Sequence, residues 1–302
     1  MKKISLLKVS MFVLTFSALS CVPQDPCAKS GGTVTTGAAT TGDKASCTDP
    51  NSGSDGGTVT PPPVNQDPTP PSPTPITGGD PWNQPWKRSD TSIVIDAYEL
   101  NGIDWDKMAT DKKMVGVIHR SSIGLTVDKQ YKARRAIASE RGYLWGAYHL
   151  GRRGDTIKQA DLFLSLVGND PDALMVLDLE DTASSSFMSI DEAVVFMDYV
   201  YEQTGRIPVV YANHSTTQKV NQLLKSNPLF PQAKLWYARF KSSVTDFPVG
   251  IWDNYFLWQF SSEINCTKTG SCLYNVPGTS SDMDVNVFNG SATDLRMMWN
   301  ND

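Results

Sequence analysis

The chain predicts an α/β fold, an irregular β/α barrel. Three observations lead there: eight short apolar runs rich in β-branched residues, helical patterns between the early runs, and acidic residues near the C-terminal ends of several runs. The runs that read as strands are 92–98, 114–121, 143–150, 173–180, 207–213, 234–240, 255–261 and 283–288. The clearest helical stretches are 128–141, 155–167 and 189–204, opening on the capping types Asp128, Asp155 and Ser189. After the sixth strand the helices are expected to stop, because 246–253 and 263–282 are rich in Gly, Pro, Ser and Asn and read as loops.

Residues 1–20 read as an export signal. Lys2, Lys3 and Lys8 precede an apolar stretch, 9–19, that is too short to span a bilayer. Ala18-Leu19-Ser20-Cys21 resembles the lipobox of bacterial lipoproteins, which predicts lipidation of Cys21 and a membrane anchor. The alternative is an ordinary secretory peptide that happens to be followed by cysteine. From 21 to 87 the chain is a Thr, Pro, Gly and Ser tether that cannot build a core, with a flexible span of roughly 50 Å. The folded domain is expected over 88–302. Of the five cysteines, Cys266 and Cys272 suggest a stapled surface loop, and Cys27 with Cys47 a possible second bridge. Zinc would need more thiols or histidines.

The formal charge of −5 gives no nucleic-acid footprint, so a substrate must be held by shape, stacking and hydrogen bonds. His119, His149 and His214 are the only histidines and form no metal motif; His149 reads as an interior hydrogen-bonded residue. Neither a Gly-x-Ser-x-Gly elbow nor a phosphate or dinucleotide loop is present, so no metal, nucleotide or other cofactor is expected.

In a β/α barrel, chemistry collects where strands end at the C-terminal face. Asp96 stands near the end of the first strand, Asp178 and Glu180 end the fourth, and Asp284 lies in the eighth, with Asp282 as its competitor. Asp178 and Glu180 are two residues apart, so the strand period points both to the barrel mouth while Leu177 and Leu179 face the helices. Two acids about 7 Å apart raise each other's proton affinity, as a glycosidase general acid requires. Tyr98, Tyr148, Tyr211, Trp236 and Trp258 fall near the same strand ends and are candidates for stacking on sugar rings.

Ile95-Asp96, Asn101-Gly102-Ile103-Asp104-Trp105, Gly146-Ala147-Tyr148-His149, Asp178-Leu179-Glu180, Trp236-Tyr237-Ala238-Arg239-Phe240, Leu257-Trp258-Gln259-Phe260-Ser261 and Asp284-Val285-Asn286, in that order, resemble glycoside hydrolase family 25. The resemblance implies a single catalytic barrel of five β/α units followed by three strands. It also implies hydrolysis of the β-1,4 bond between N-acetylmuramic acid and N-acetylglucosamine in peptidoglycan. Carried over, Glu180 is the acid that protonates the leaving oxygen, and Asp178, Asp96 and Asp284 are supporting carboxylates. The expected protein is a monomeric muramidase exported to the cell envelope, with peptidoglycan as its partner.

Two departures concern substrate contacts: Tyr98 where the family usually has serine, and 119–124 where it often reads Lys-Ala-Thr-Glu-Gly. The chitinase pattern Asp-x-x-Asp-x-Asp-x-Glu is unmet, since Ala173 and Val176 fill two of its aspartate positions. A silent peptidoglycan-binding lipoprotein, or a hydrolase of another N-acetylated glycan, are the competing functions.

Overall fold

The computed structural model describes residues 79–300 except Lys268. The export signal, Cys21, Cys27 and Cys47, and the tether as far as residue 78 lie outside the described residues.

Strand β1 (Ser92–Ala97) is followed by a one-turn helix α1 (Trp105–Met108), β2 (Met114–Ile123), its hairpin partner β3 (Thr126–Val127) and helix α2 (Tyr131–Glu140). Then come β4 (Leu144–Leu150), α3 (Thr156–Val167), β5 (Leu174–Asp178), α4 (Ile190–Thr204), β6 (Val209–Asn213) and α5 (His214–Leu223). β7 (Leu235–Ala238), β8 (Leu257–Ser261), β9 (Asp284–Phe288) and α6 (Ala292–Met298) complete the described chain. The sheet runs β1-β9-β8-β7-β6-β5-β4-β2-β3, and pairing of β1 with β2 closes eight strands into a barrel. Seven of these are parallel to their neighbours, and β9 runs antiparallel between β8 and β1. All eight expected strands are present; β3 is an addition from the hairpin that extends β2.

Alternation along each strand builds two cores. Val94, Ile118, Leu174, Val176, Val209 and Trp236 fill the barrel. Leu177 and Leu179 face outward into the layer that holds Phe163 of α3 and Phe196 of α4. The expected helices form, but only one of the three anticipated caps works as such. Ser189 makes a full capping box with Glu192 on α4. Asp155 adopts a left-handed backbone and caps nothing, and Asp128 turns its carboxylate to Arg120 and to the amides of Glu99 and Gln130.

Two expectations need correction. Residues 81–87 are not tether. Trp86 is buried and stacked on Phe260 at 3.8 Å, and Trp82 packs on Tyr255 and Phe247 at 4.7 and 4.6 Å. No α-helix follows β7 or β8 to cover their outer face, so this segment supplies the apolar layer there. Helices also do not end with the sixth strand. A 3-10 turn forms at Glu263–Asn265, and α6 closes the base of the barrel with Leu295 and Trp299 buried. The Trp299 indole N–H donates to the carbonyl of Trp145 (2.9 Å), and Lys234 Nζ donates to that of Met298 (2.7 Å).

Candidate active site

The C-terminal ends of the parallel strands form the mouth of the barrel, and the acids converge there. Asp96 of β1 lies directly across from Asp284 of β9, and Asp178 ends β5 beside Tyr211 of β6. Glu180 stands two residues past Asp178, beyond the strand. Its carbonyl accepts from the Thr216 hydroxyl at 2.7 Å and from the Thr182 amide at 3.0 Å, so its backbone is fixed from α5. Asp282 remains in the preceding loop, taking a hydrogen bond from the Ser280 hydroxyl.

Each acid meets a different environment. Asp96 accepts three amide hydrogen bonds, from Gln259 Nε2 to both oxygens (3.1 and 3.0 Å) and from Asn286 Nδ2 (2.7 Å). Burial pushes it up to about 6, and those amides oppose the rise. Asp178 and Asp284 each keep one buried oxygen, Oδ1, without a hydrogen-bond partner. Burial first, then the neighbouring acids, raises Asp178 well above the usual carboxylate range and Asp284 to about 9. Glu180 is also raised by burial, with Arg152 opposing and Asp181 adding.

Because Asp284 binds its proton more tightly in the folded chain than in the unfolded one, its contribution to stability is present at low pH. It is lost as pH rises from the unfolded value near 4 toward about 9. Asp284→Asn carries no such penalty. Its Tm is therefore expected to exceed that of the wild type by a margin that widens from pH 4 to pH 9; a margin independent of pH would contradict this.

The aromatic candidates separate by strand parity. Trp236, Tyr148 and Tyr211 line the barrel beneath the acids, the Tyr211 and Trp236 rings meeting edge-on at 4.8 Å and those of Tyr148 and Trp236 at 6.3 Å. Burial and the surrounding acids keep both tyrosines protonated. Tyr98 stands at the rim with the Arg120 guanidinium 4.8 Å over its ring. Trp258 is not part of the site. It lies outside the barrel, fully buried among Trp82, Trp86 and Phe260, with its N–H on the carbonyl of Arg239 (2.8 Å), so no face is open to a sugar.

Sequence reading missed the amides of Gln259 and Asn286, the hydroxyl of Thr216, and two arginines whose charges reach the acids, Arg120 toward Asp178 and Arg152 toward Glu180. A signal existed for the amides: each is a polar residue inside an apolar strand, at a position that alternation turns inward.

The histidines stay outside the chemistry. His149 bridges the Ser122 hydroxyl (2.8 Å) and Gln159 Oε1 (3.0 Å), and His119 lies between the Arg120 carbonyl and Arg134. Burial lowers both to about 4, so both are neutral at pH 7. Cys266 and Cys272 form the expected disulfide, in the loop that leads from β8 to Asp284. Among the described residues no cluster of His, Cys, Asp and Glu is arranged to hold a metal ion.

The sequence profile described as Glycosyl hydrolases family 25 matches residues 95–269, which takes in Asp96, Asp178 and Glu180 and stops short of Asp284. No curated protein matches the chain. Among solved structures, the chain is similar to a bacterial lysozyme from Streptomyces coelicolor (TM-score 0.55, 24% identity, covering 71% of this chain and 99% of that one). It is also similar to a muramidase from Trichobolus zukalii (TM-score 0.54, 22% identity, 69% and 98% covered). A family GH25 lysozyme from Aspergillus fumigatus is a further likeness (TM-score 0.54, 22% identity, 70% and 99% covered). These likenesses establish the fold.

Proposed function

Because the chain belongs to glycosyl hydrolases family 25, we propose that it is a muramidase, hydrolysing the β-1,4 bond between N-acetylmuramic acid and N-acetylglucosamine in peptidoglycan. The observation that carries this reading is the placement of Glu180. It is a carboxyl whose proton affinity is raised by burial, at the barrel mouth, beside a cluster made by Asp178, Asp96 and Asp284.

In this mechanism Glu180 gives its proton to the glycosidic oxygen as the bond to the anomeric carbon breaks. The carbonyl oxygen of the sugar's own acetamido group bonds to that carbon. The unpartnered Oδ1 of Asp178 accepts the acetamido N–H and orients it. Negative charge on Asp96 favours the positive charge that develops on the ring. Glu180, now a carboxylate, then takes a proton from water as the water oxygen replaces the acetamido oxygen, which gives net retention.

The supports at the mouth also bear on substrate choice. With burial and the neighbouring acids disfavouring charge on Asp178 and Asp284 and keeping both tyrosines protonated, the pocket carries less negative charge than its acid count suggests, which suits a glycan bearing lactyl carboxylates. We assign the protein to the cell envelope, held by lipid on Cys21 through a tether that ends near Pro81. No helix among the described residues is long and apolar enough to cross a membrane.

Digestion of purified peptidoglycan by the full chain, with mass spectrometry of the released reducing ends, tests the chemistry. Muramic-acid reducing ends support the assignment. Sedimentation with sacculi without release at any pH would favour the binding protein instead. Fatty-acid labelling of the same preparation should be lost in Cys21→Ala, and label retained by that variant removes the anchor.

A further inference from the structure

Among the described residues no lysine or arginine pairs with Asp96, so a charge there must be held by neutral donors. The donors are two side-chain amides, and an amide turned end for end would present its carbonyl oxygen to the carboxylate instead. What fixes their direction is therefore decisive.

For Asn286 the answer is unambiguous. The Trp236 indole N–H can only donate, and it reaches Asn286 Oδ1 at 2.6 Å; the Val94 carbonyl can only accept, and it takes Asn286 Nδ2 at 3.0 Å. The remaining N–H must face Asp96. For Gln259 the partner is a hydroxyl, which can donate or accept: with Nε2 on both oxygens of Asp96, the Tyr211 hydroxyl donates to Oε1 at 2.8 Å and completes the orientation. Both aromatic residues are thereby occupied with amides below the acids.

We propose that Tyr211 and Trp236 are positioning residues: by holding the carbonyl oxygens of Gln259 and Asn286, they turn both amide NH2 groups onto Asp96 and make it the ionised member of the acid cluster. Other titratable groups surround Asp96. Asp284 faces it from β9, Asp178 from β5, Tyr148 from β4 and Tyr211 from β6, with Glu180 beyond β5 and Arg120 reaching in from β2 toward Asp178. The Asp96 charge is among the causes that raise Asp178 and Asp284, whose unpartnered oxygens receive no such donors. Asp96, at about 6, is the lower of the two values against Asp284 at about 9. The Asp96 charge thus adds to burial in disfavouring charge on its neighbours, and two aromatic residues orient the amides that hold it.

The orientation of both amides onto Asp96 stands on contacts, and only its effect on rate rests on the muramidase reading. Carbon-13 NMR of carboxyl-labelled aspartates in the full chain, with signals assigned by Asp96→Asn, Asp178→Asn and Asp284→Asn, follows each ionisation without substrate. Asp96 is expected to titrate at the lowest pH of the three. Tyr211→Phe removes one oxygen and keeps the ring on Trp236, and should raise the Asp96 midpoint by about one pH unit. Gln259→Met, which removes the donors, should raise it further. The acid limb of kcat/KM should move by the same amount, with KM little changed. Asp178 or Asp284 titrating before Asp96, or a Tyr211→Phe midpoint equal to that of the wild type, would overturn the proposal. So would a variant that lowers Tm or raises KM without moving the midpoint, since that is the behaviour of a packing or sugar-contact residue. If the chain releases no sugar at all, the muramidase reading fails while the titration still decides the charge.

Discussion

Glu180→Gln is expected to lower kcat on peptidoglycan by roughly 10²–10⁴-fold, the range that a positioned general acid contributes. The glutamine keeps the shape but has no proton to give the leaving oxygen. Stability should not follow the activity down. The Glu180 backbone, not its carboxyl, is what Thr216 and Thr182 hold. Burial disfavours the charged form of the native side chain, so a neutral amide there costs little and relieves repulsion with Asp181. The measurement is the rate of reducing-end release alongside a melting curve. A variant as active as the wild type removes Glu180 from the role of acid. A variant whose activity and Tm fall together points instead to loss of the folded site. The wild-type profile should decline at alkaline pH as Glu180 loses its proton, and its limb should lie above that of an ordinary glutamate because burial outweighs the opposing Arg152.

That the convergence of Glu180 and the three aspartates on one end of the barrel could be read from sequence has a physical reason. A charged residue at the end of an apolar strand is conspicuous, and the barrel rule says which end matters. The period of two then separated Asp178 from Leu177 and Leu179 correctly. The same period misplaced Trp258 only because proximity to a strand end was given more weight than parity. In β8, Leu257 points in with Trp236 as its neighbour on β7, so Trp258 must point out and Gln259 in.

Partnerships were harder to read than positions. Nothing in the sequence of Gln259 or Asn286 says that an aspartate 163 or 190 residues away will be its acceptor. Arg120, within β2, and Arg152, just beyond β4, carry no sign in the sequence of the acids that their charges reach once the barrel has closed. Short elements were lost for a related reason. The two-residue β3 has no period to detect, and α5 buries only Thr216, Thr217 and Val220, too few apolar residues to mark a helical stripe. The segment 81–86 looked like the end of a proline-rich tether. Its two tryptophans were the sign that it had a surface to cover.

The largest loss of stability from one change is expected at the opposite end of the barrel from the acids. Trp299 is 1% exposed, and its indole ring reaches so close to Gly116 that a side-chain carbon there would lie 3.2 Å from it. It packs toward Phe256, and its N–H satisfies the Trp145 carbonyl. Trp299→Ala opens a cavity that the surrounding strands, locked in a closed sheet, cannot collapse to fill, and it strips a buried carbonyl of its donor. The combined cost should be about 3–5 kcal/mol, a large part of a typical domain's stability of roughly 5–15 kcal/mol. For a domain of this size that corresponds to a fall in Tm on the order of 10 °C. Met297, two residues away on α6 and 73% exposed, is the control: Met297→Ala should leave Tm nearly unchanged. Because the plug and the acids lie at opposite ends, Trp299→Ala should keep its pH profile and KM at temperatures well below its own transition. A Tm equal to that of the wild type would mean that α6 does not seal the barrel. A shifted pH profile in the cold would mean that strain at the base reaches the acids along the barrel strands.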